Sequence, residues 1–138
     1  MSAGSCFLID DDDDDREIFA QALKKASAGY VCDFAKNGKE AIEAVHRCDV
    51  VPDYIFVDLN MPLISGRECV KAFKELSRLK DVPIIVYTTS ALAKEVDEIQ
   101  DLGATNYLVK PTSFSRLVGV LEEILSGKDL PFFINVNV

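Results

Sequence analysis

Short apolar runs that alternate with longer segments of helical period are the feature that most limits what this chain can fold into. The runs lie at residues 6–9, 30–35, 54–57, 84–87 and 107–109. All but the run at residues 30–35 are too short and too uniformly apolar for an amphipathic helix, and such runs are typical of buried parallel strands. Because Asp33 interrupts the second run, we expect that strand at an edge of the sheet, where one side meets water.

The segments between the runs carry apolar residues at helical spacing, most clearly from Phe114 to Leu125. Ser113 is placed to cap that helix and Gly127 to end it. Strand and helix repeated five times with short connections predict an α/β fold, a doubly wound five-stranded parallel sheet with helices on both faces. Ligands of such sheets bind at the carboxyl ends of the strands, so the search for a site begins there.

Composition narrows the class of protein further. The chain has 138 residues, enough for one domain with its own core, and 49% of them are apolar, which excludes general disorder. With 23 acidic and 15 basic side chains the formal charge is −8, so we expect no nucleic-acid and no membrane partner. Apolar stretches are also much shorter than the roughly 20 residues that span a bilayer.

The four cysteines predict neither a zinc site nor a disulfide framework. They stand at positions 6, 32, 48 and 69, without a CxxC pair. We interpret them as reduced, mostly buried thiols, which suggests a cytoplasmic protein.

Three carboxylates follow predicted strands and are expected to converge. Asp10 and Asp11 come directly after the first apolar run, and Asp58 follows the third. Carboxylates in one crevice repel one another unless a cation lies between them, and an all-oxygen ligand set suits Mg²⁺. The sequence therefore predicts a magnesium site.

Two further strand ends add groups that suit phosphoryl chemistry. Thr88 ends the fourth run and Lys110 the fifth. A carboxylate beside a divalent cation can attack phosphorus, and phosphoryl oxygens then need positive charge and hydrogen-bond donors. Lys110 and the Thr88 hydroxyl provide these, and phosphoryl transfer depends mainly on such positioning.

Together these segments resemble the receiver domain of two-component response regulators, over nearly the whole chain up to about Gly127. That family has a strand ending in paired acids, a strand ending in the phosphate-accepting Asp followed by Met-Pro and Gly, a strand ending in Thr or Ser, and Lys-Pro. The matching segments here are Leu8-Ile9-Asp10-Asp11, Val57-Asp58-Leu59-Asn60-Met61-Pro62 with Gly66, Val86-Tyr87-Thr88 and Val109-Lys110-Pro111.

The resemblance implies a role for each matching residue. Asp58 would accept a phosphoryl group from a sensor histidine kinase or a histidine phosphotransfer protein. Asp11, Asp58 and the Asn60 backbone carbonyl would hold Mg²⁺, with Asp10 acting mostly through water, and Lys110 would pair with the phosphoryl oxygens. Thr88 would shift and Tyr107 turn inward, which would change the face formed by the fourth helix, fifth strand and fifth helix. It also implies the flavodoxin-like strand order 2-1-3-4-5 and a cis peptide at Lys110-Pro111.

We therefore expect a single-domain response regulator at residues 1–127 and a C-terminal extension of unknown role at residues 128–138. It would change only its own phosphorylation state and act on no separate substrate. Its downstream protein target is open, and the apolar tail could serve a homodimer or simply cover the domain's own surface. Asp12 to Asp15 exceed the usual acidic pair, and we interpret them as a solvated helix start.

Two other functions fit parts of this pattern. The first is a magnesium-dependent phosphatase or phosphotransferase with an aspartyl nucleophile, which needs a second acid two positions after the nucleophile. Asn60 occupies that position. The second is a receiver-like domain that binds partners without phosphate, which the retained acids, Thr88 and Lys110 argue against.

Overall fold

The computed structural model describes residues 4–47 and 51–137. In this part of the chain six parallel strands form one sheet in the order β2-β1-β3-β4-β5-β6. The strands are β1 (Gly4–Ile9), β2 (Tyr30–Ala35), β3 (Tyr54–Val57), β4 (Ile84–Thr88), β5 (Asn106–Val109) and β6 (Phe133–Ile134). The five predicted strands are confirmed, and β2 lies at an edge as Asp33 indicated.

Helices connect the strands. They are α1 (Asp13–Ala26), α2 (Gly38–Arg47), α3 (Gly66–Lys74), α4 (Ala93–Asp101) and α5 (Phe114–Leu125), with a 3-10 turn at Ser77–Leu79. The predicted cap of the last helix is confirmed, because the Ser113 side chain accepts a hydrogen bond from the Arg116 amide. Gly127 has a φ of +76°, a left-handed conformation that favours glycine and follows the end of that helix.

Alternate strand residues point to opposite faces of the sheet, so two apolar layers form. One layer packs α1 and α5 against residues such as Leu8 and Phe56. The other packs α2, α3 and α4 against residues such as Ile9 and Val57. Helices on both faces agree with the predicted doubly wound architecture.

The predicted five-stranded sheet was wrong by one strand. β6 belongs to the C-terminal extension and pairs in parallel with β5, where Tyr107 faces Phe133 and Leu108 faces Ile134. Its pairing gives hydrogen-bond partners to an edge of β5 that would otherwise face water, and it buries Ile134. A two-residue strand has no periodicity of its own, which is why the pattern did not predict it.

The predicted cis peptide at Lys110-Pro111 was also wrong, since the described residues contain no cis peptide bond. The trans form is the lower-energy form of an X-Pro bond. The tail holds this loop from outside: the Asn137 side chain accepts from the Thr112 amide at 2.8 Å and donates to the Lys110 carbonyl at 3.1 Å.

The thiols that can be located fit the prediction. Cys6 and Cys69 are buried and Cys32 is half-buried, all three unpaired, whereas Cys48 falls outside the described residues. Burial raises the pKa of Cys6 to about 12 and the pKa values of Cys32 and Cys69 to about 11, which keeps these thiols protonated. Across the described ranges, no helix has the length and apolar character needed to cross a bilayer.

Candidate functional site

The strand order reverses between β1 and β3, and the carboxylates that follow these two strands meet there. Hydrogen bonds in the sheet place them, since the Asp58 amide donates to the Ile9 carbonyl at 2.8 Å. One carboxylate oxygen from each of Asp10, Asp11 and Asp58 lies within 4.8 Å of the others. The structure thus brings together the three acids that the sequence predicted would converge.

Asp58 is a buried carboxyl in this cluster. Burial raises its pKa to about 6, opposed by the positive charge of Lys110 and reinforced by the negative charge of Asp10. The Asn60 amide lies 3.4 Å from Asp58 Oδ1, so the backbone of the following loop also faces this carboxylate. A carboxyl with this pKa is ionised at neutral pH yet poorly hydrated, which suits a nucleophile or a cation ligand.

The close approach of α3 to the end of β3 shapes the same loop. The Gly66 amide donates to the Leu59 carbonyl at 3.0 Å. A Cβ atom at Gly66 would lie 2.3 Å from the Asp58 carbonyl oxygen, which is far inside van der Waals contact. Only glycine fits here without moving the Asp58 backbone.

Asp10 is fully buried and is fixed by several groups. Burial raises its pKa, while hydrogen bonds from the Asp12 amide and from Lys110 lower it. The buried guanidinium of Arg16 donates to the Asp10 backbone carbonyl at 2.7 Å and forms an ion pair with Asp13. The turn from β1 into α1 is therefore tied to the site by a side chain as well as by the sheet.

Lys110 reaches into the cluster from the end of β5. Its Nζ donates to Asp10 Oδ2 at 2.9 Å and to Asp15 Oδ2 at 2.8 Å, and it lies 3.8 Å from Asp58 Oδ2. Burial alone would lower the pKa of Lys110, but these three carboxylates outweigh it and hold the pKa above the ordinary value. The Tyr87 ring, 5.2 Å from Nζ, supports the ammonium from β4.

Thr88 and Tyr107 are both fully buried and are connected through one loop. The Thr88 hydroxyl oxygen lies 3.4 Å from the Ser90 amide, and the Tyr107 hydroxyl donates to the Ser90 carbonyl at 2.9 Å. The Phe133 ring of the tail packs beside Tyr107, with the centroids 5.9 Å apart. Ser90 therefore links the Thr88 hydroxyl to the Tyr107 hydroxyl.

Two residues with contacts between distant elements were not predicted. We interpreted Asp15 as part of a solvated helix start, but its carboxylate binds Lys110, 95 residues away in the chain. The helix-start interpretation holds for Asp12, whose side chain accepts from the Asp15 amide. Arg67 was also missed: it ties α3 to α4 by donating to Glu98 at 2.8 Å and Glu95 at 3.0 Å. A residue-by-residue pattern carries no signal for such contacts between distant elements.

The donor set fits a divalent cation. It consists of carboxylate oxygens alone, two of the three acids are buried, and their charges are only partly balanced by Lys110. Hard cations such as Mg²⁺ and Mn²⁺ prefer such oxygen ligands, while Zn²⁺ sites usually contain His or Cys. Asp11 is exposed, so a bound cation could keep water ligands on its outer side.

Comparison of the sequence with known proteins identifies a family and relatives. The profile of the response regulator receiver domain matches residues 6–122. The polar-differentiation response regulator DivK of Brucella anthropi is 28% identical over 123 residues, which are 88% of this chain and 95% of DivK.

Solved structures agree with this result. The chemotaxis response regulator CheY4 of Vibrio cholerae superposes with a TM-score of 0.76 at 31% identity, over 88% of this chain and 98% of CheY4. The Mn²⁺-bound form of the response regulator Rcp1 has a TM-score of 0.78 at 25% identity, over 93% of this chain and 99% of that one. On the matched profile and the shared fold, this chain belongs to the response regulator receiver domain family.

Proposed function

We propose that Asp58 is the residue on which this response regulator accepts its phosphoryl group, and that the donor is a phosphohistidine on a sensor histidine kinase or a histidine phosphotransfer protein. The carrying observation is the position of Asp58: a buried carboxylate within 4.8 Å of two others and 3.8 Å from the Lys110 ammonium. Receiver domains are signalling domains, and this arrangement supports that role rather than turnover of a separate substrate.

The transfer needs one nucleophile and one leaving group. An Asp58 carboxylate oxygen attacks phosphorus, so an O–P bond forms while the N–P bond of the phosphohistidine breaks, and the imidazole keeps the electron pair and takes up a proton. The product is an acyl phosphate. Because the reaction depends on positioning and charge, the sheet contributes mainly by fixing the position of the Asp58 carboxylate.

Asp10, Asp11, Asp58 and the Asn60 backbone carbonyl are the proposed Mg²⁺ ligands, with Asp10 acting mostly through water. When bound, the ion offsets the negative charge of the carboxylates and of the incoming phosphoryl oxygens. The exposed position of Asp11 supports its assignment as a direct ligand, while Asp10 already accepts hydrogen bonds from Lys110 and from the Asp12 amide.

Lys110 and Thr88 are the proposed contacts for the phosphoryl oxygens. The ammonium is already 3.8 Å from Asp58 Oδ2, and the Thr88 hydroxyl ends the adjacent strand. Movement of Thr88 toward the phosphoryl group would pull on Ser90, to which the Tyr107 hydroxyl is bonded. We propose that Thr88 and Tyr107 transmit phosphorylation to α4, β5 and α5, where a partner protein would read it.

The C-terminal extension modifies that surface. β6 covers the outer edge of β5 and places Phe133 beside Tyr107. A downstream partner would therefore meet the tail as well as α4 and α5, and the half-exposed Phe133 ring would be available for such a contact or for a second copy of the chain.

The decisive experiment is phosphorylation by a small donor. Incubation with phosphoramidate and Mg²⁺ should add one phosphoryl group, detected by intact-mass spectrometry and lost in base. Asp58→Asn should abolish the modification, and Asp81→Asn should retain it, because Asp81 is an exposed acid that precedes β4 at the opposite end of the sheet. Uptake of a base-labile phosphate by the Asp58→Asn protein would show that the nucleophile lies elsewhere.

A further inference from the structure

The Lys110 ammonium has a hydrogen-bonding partner outside the predicted set of site residues. Of the three carboxylates around Nζ, Asp15 is the nearest at 2.8 Å, Asp10 follows at 2.9 Å, and Asp58 is beyond hydrogen-bond distance at 3.8 Å. In this conformation two of the three ammonium hydrogens are directed away from the proposed phosphoryl acceptor. Asp15 lies in the first turn of α1, so helix α1 also positions the end of β5.

Asp15 differs from Asp10 in how easily it can release the lysine. The Asp10 side chain is fully buried and has no access to water, whereas the Asp15 side chain is 37% exposed. Breaking the Asp10 contact would leave a buried charge with one partner fewer, which is costly. The Asp15 carboxylate can exchange Lys110 for water at small cost. Of the two contacts, the one to Asp15 is therefore the exchangeable one.

A phosphoryl group on Asp58 would compete for the same ammonium. The acyl phosphate would carry roughly one and a half to two negative charges at neutral pH in place of the single charge of the Asp58 carboxylate, together with three strong acceptor oxygens. The phosphoryl group carries more negative charge than the single carboxylate of Asp15, so it would attract the Lys110 ammonium from Asp15 toward Asp58. The hydrogen bond between Lys110 and Asp15 stabilises the unphosphorylated state and has to break when Lys110 turns to the phosphoryl group.

We propose that Asp15 is a positioning residue for Lys110, one that holds the ammonium off Asp58 and thereby lowers the affinity of the site for a phosphoryl group. The proposal rests on the proposed role of Asp58 and Lys110. Asp15, at the end of the acidic run, would then have a function that a solvated helix start does not have. Asp15 touches neither the phosphoryl group nor the cation in this scheme and acts only through Lys110.

The test compares variants by their affinity for beryllofluoride, an analogue of the phosphoryl group, in the presence of Mg²⁺. Asp15→Asn should bind it about fivefold more tightly than the parent protein, a change at the upper end of the range for a partly exposed charge pair. Binding is followed by ¹⁹F NMR. Asp15→Glu should restore the parent affinity, because it keeps the charge and can still reach Lys110. The matched control is Asp14→Asn, an exposed neighbour whose side chain forms no ion pair or hydrogen bond among the described residues.

The control separates positioning from net charge. Removal of any nearby negative charge favours an anion, so equal gains in Asp15→Asn and Asp14→Asn would overturn the proposal. Mg²⁺ affinity, measured separately by calorimetry, should be equal in these two variants, since neither residue is a proposed ligand. A gain confined to Asp15→Asn and reversed in Asp15→Glu would support it.

Failure of the proposed function would look different. In that case the parent protein itself would not bind beryllofluoride, or Asp58→Asn would bind it as well as the parent. If the parent binds and Asp58→Asn does not, the role of Asp58 stands, and the comparison of Asp15 with Asp14 decides the present inference alone.

Discussion

Among single residues, Asp58 shows most clearly that the positive charge near the buried carboxylates does not fully balance them. Asp58 has a pKa of about 6, raised by burial from an ordinary value of 3.8. The folded protein therefore holds a proton on Asp58 in a pH range where the unfolded chain has lost it. Stability from this group is fully present below pH 3.8 and is lost as the pH rises through 6.

Removal of this carboxylate should stabilise the fold at neutral pH. In the presence of a chelator, Asp58→Asn should raise the free energy of unfolding at pH 7.5 by about 1 to 3 kcal/mol, since each pH unit of pKa displacement corresponds to about 1.4 kcal/mol. The gain should disappear below about pH 4, where Asp58 is neutral in both states. Urea unfolding at several pH values measures this.

Asp81→Asn is the control for that series, because Asp81 is exposed and its substitution should change stability little at any pH. A gain in Asp58→Asn that stayed constant from pH 4 to pH 8 would contradict the assignment of a raised pKa to Asp58.

At the scale of elements, the C-terminal extension behaves as part of the domain. β6 pairs with β5, Ile134 is buried against α5 and its neighbours, and Asn137 holds the loop that follows Lys110. The Tyr107 amide also donates to the Phe132 carbonyl at 2.8 Å. The tail thus contacts both Tyr107 in β5 and the loop that follows Lys110.

Shortening one buried tail side chain should therefore destabilise the whole domain. Ile134→Ala should lower the free energy of unfolding by about 2 kcal/mol, the low end for a buried isoleucine because the strand is at an edge. Lys128→Ala, an exposed change in the same extension, should leave stability unchanged within about 0.5 kcal/mol. Chemical denaturation measures both, and equal stability of the two variants would show that the tail does not pack on the domain.

In the molecule as a whole, a change at Asp58 can regulate a partner only if it reaches the surface that the partner binds. The structure offers a continuous set of contacts: Lys110 at the site donates its amide to the Thr88 carbonyl at the end of β4, Thr88 contacts Ser90 in the loop after β4, and Ser90 accepts from Tyr107 in β5. Arg67 and its two glutamate partners then join α3 to α4. A partner that reads this surface must bind its two conformations with different affinities if phosphorylation is to regulate it.

Lys110 should be needed for the conformational change rather than for acceptance of the phosphoryl group. In Lys110→Ala, phosphoramidate should still modify the protein, but amide chemical shifts of α4 and β5 should change far less upon modification than in the parent. Lys80→Ala, which removes an exposed lysine near the other end of β4, should respond as the parent does. An undiminished shift change in Lys110→Ala would remove Lys110 from the switch.

Much of the fold could be predicted because its signals are local. The five apolar runs, the edge position of β2 and the cap at Ser113 each depend on a few neighbouring residues, and each is confirmed. Convergence of Asp10, Asp11 and Asp58 followed from parallel topology, because carboxyl ends of parallel strands lie at one edge of a sheet. The cis peptide was wrong because it was carried over from the resemblance, without a signal in these residues.

The helices, the strands and the residue types at the strand ends could be predicted from the amino-acid pattern, since hydrophobic period and turn chemistry are encoded over a few residues. Which distant groups meet depends on the folded chain: Asp15 with Lys110, Arg67 with Glu95 and Glu98, and the tail with β5. Those contacts depend on the twist of the sheet and on where each helix lies across it. Such quantities are set by packing of the whole chain, so no local pattern contains them.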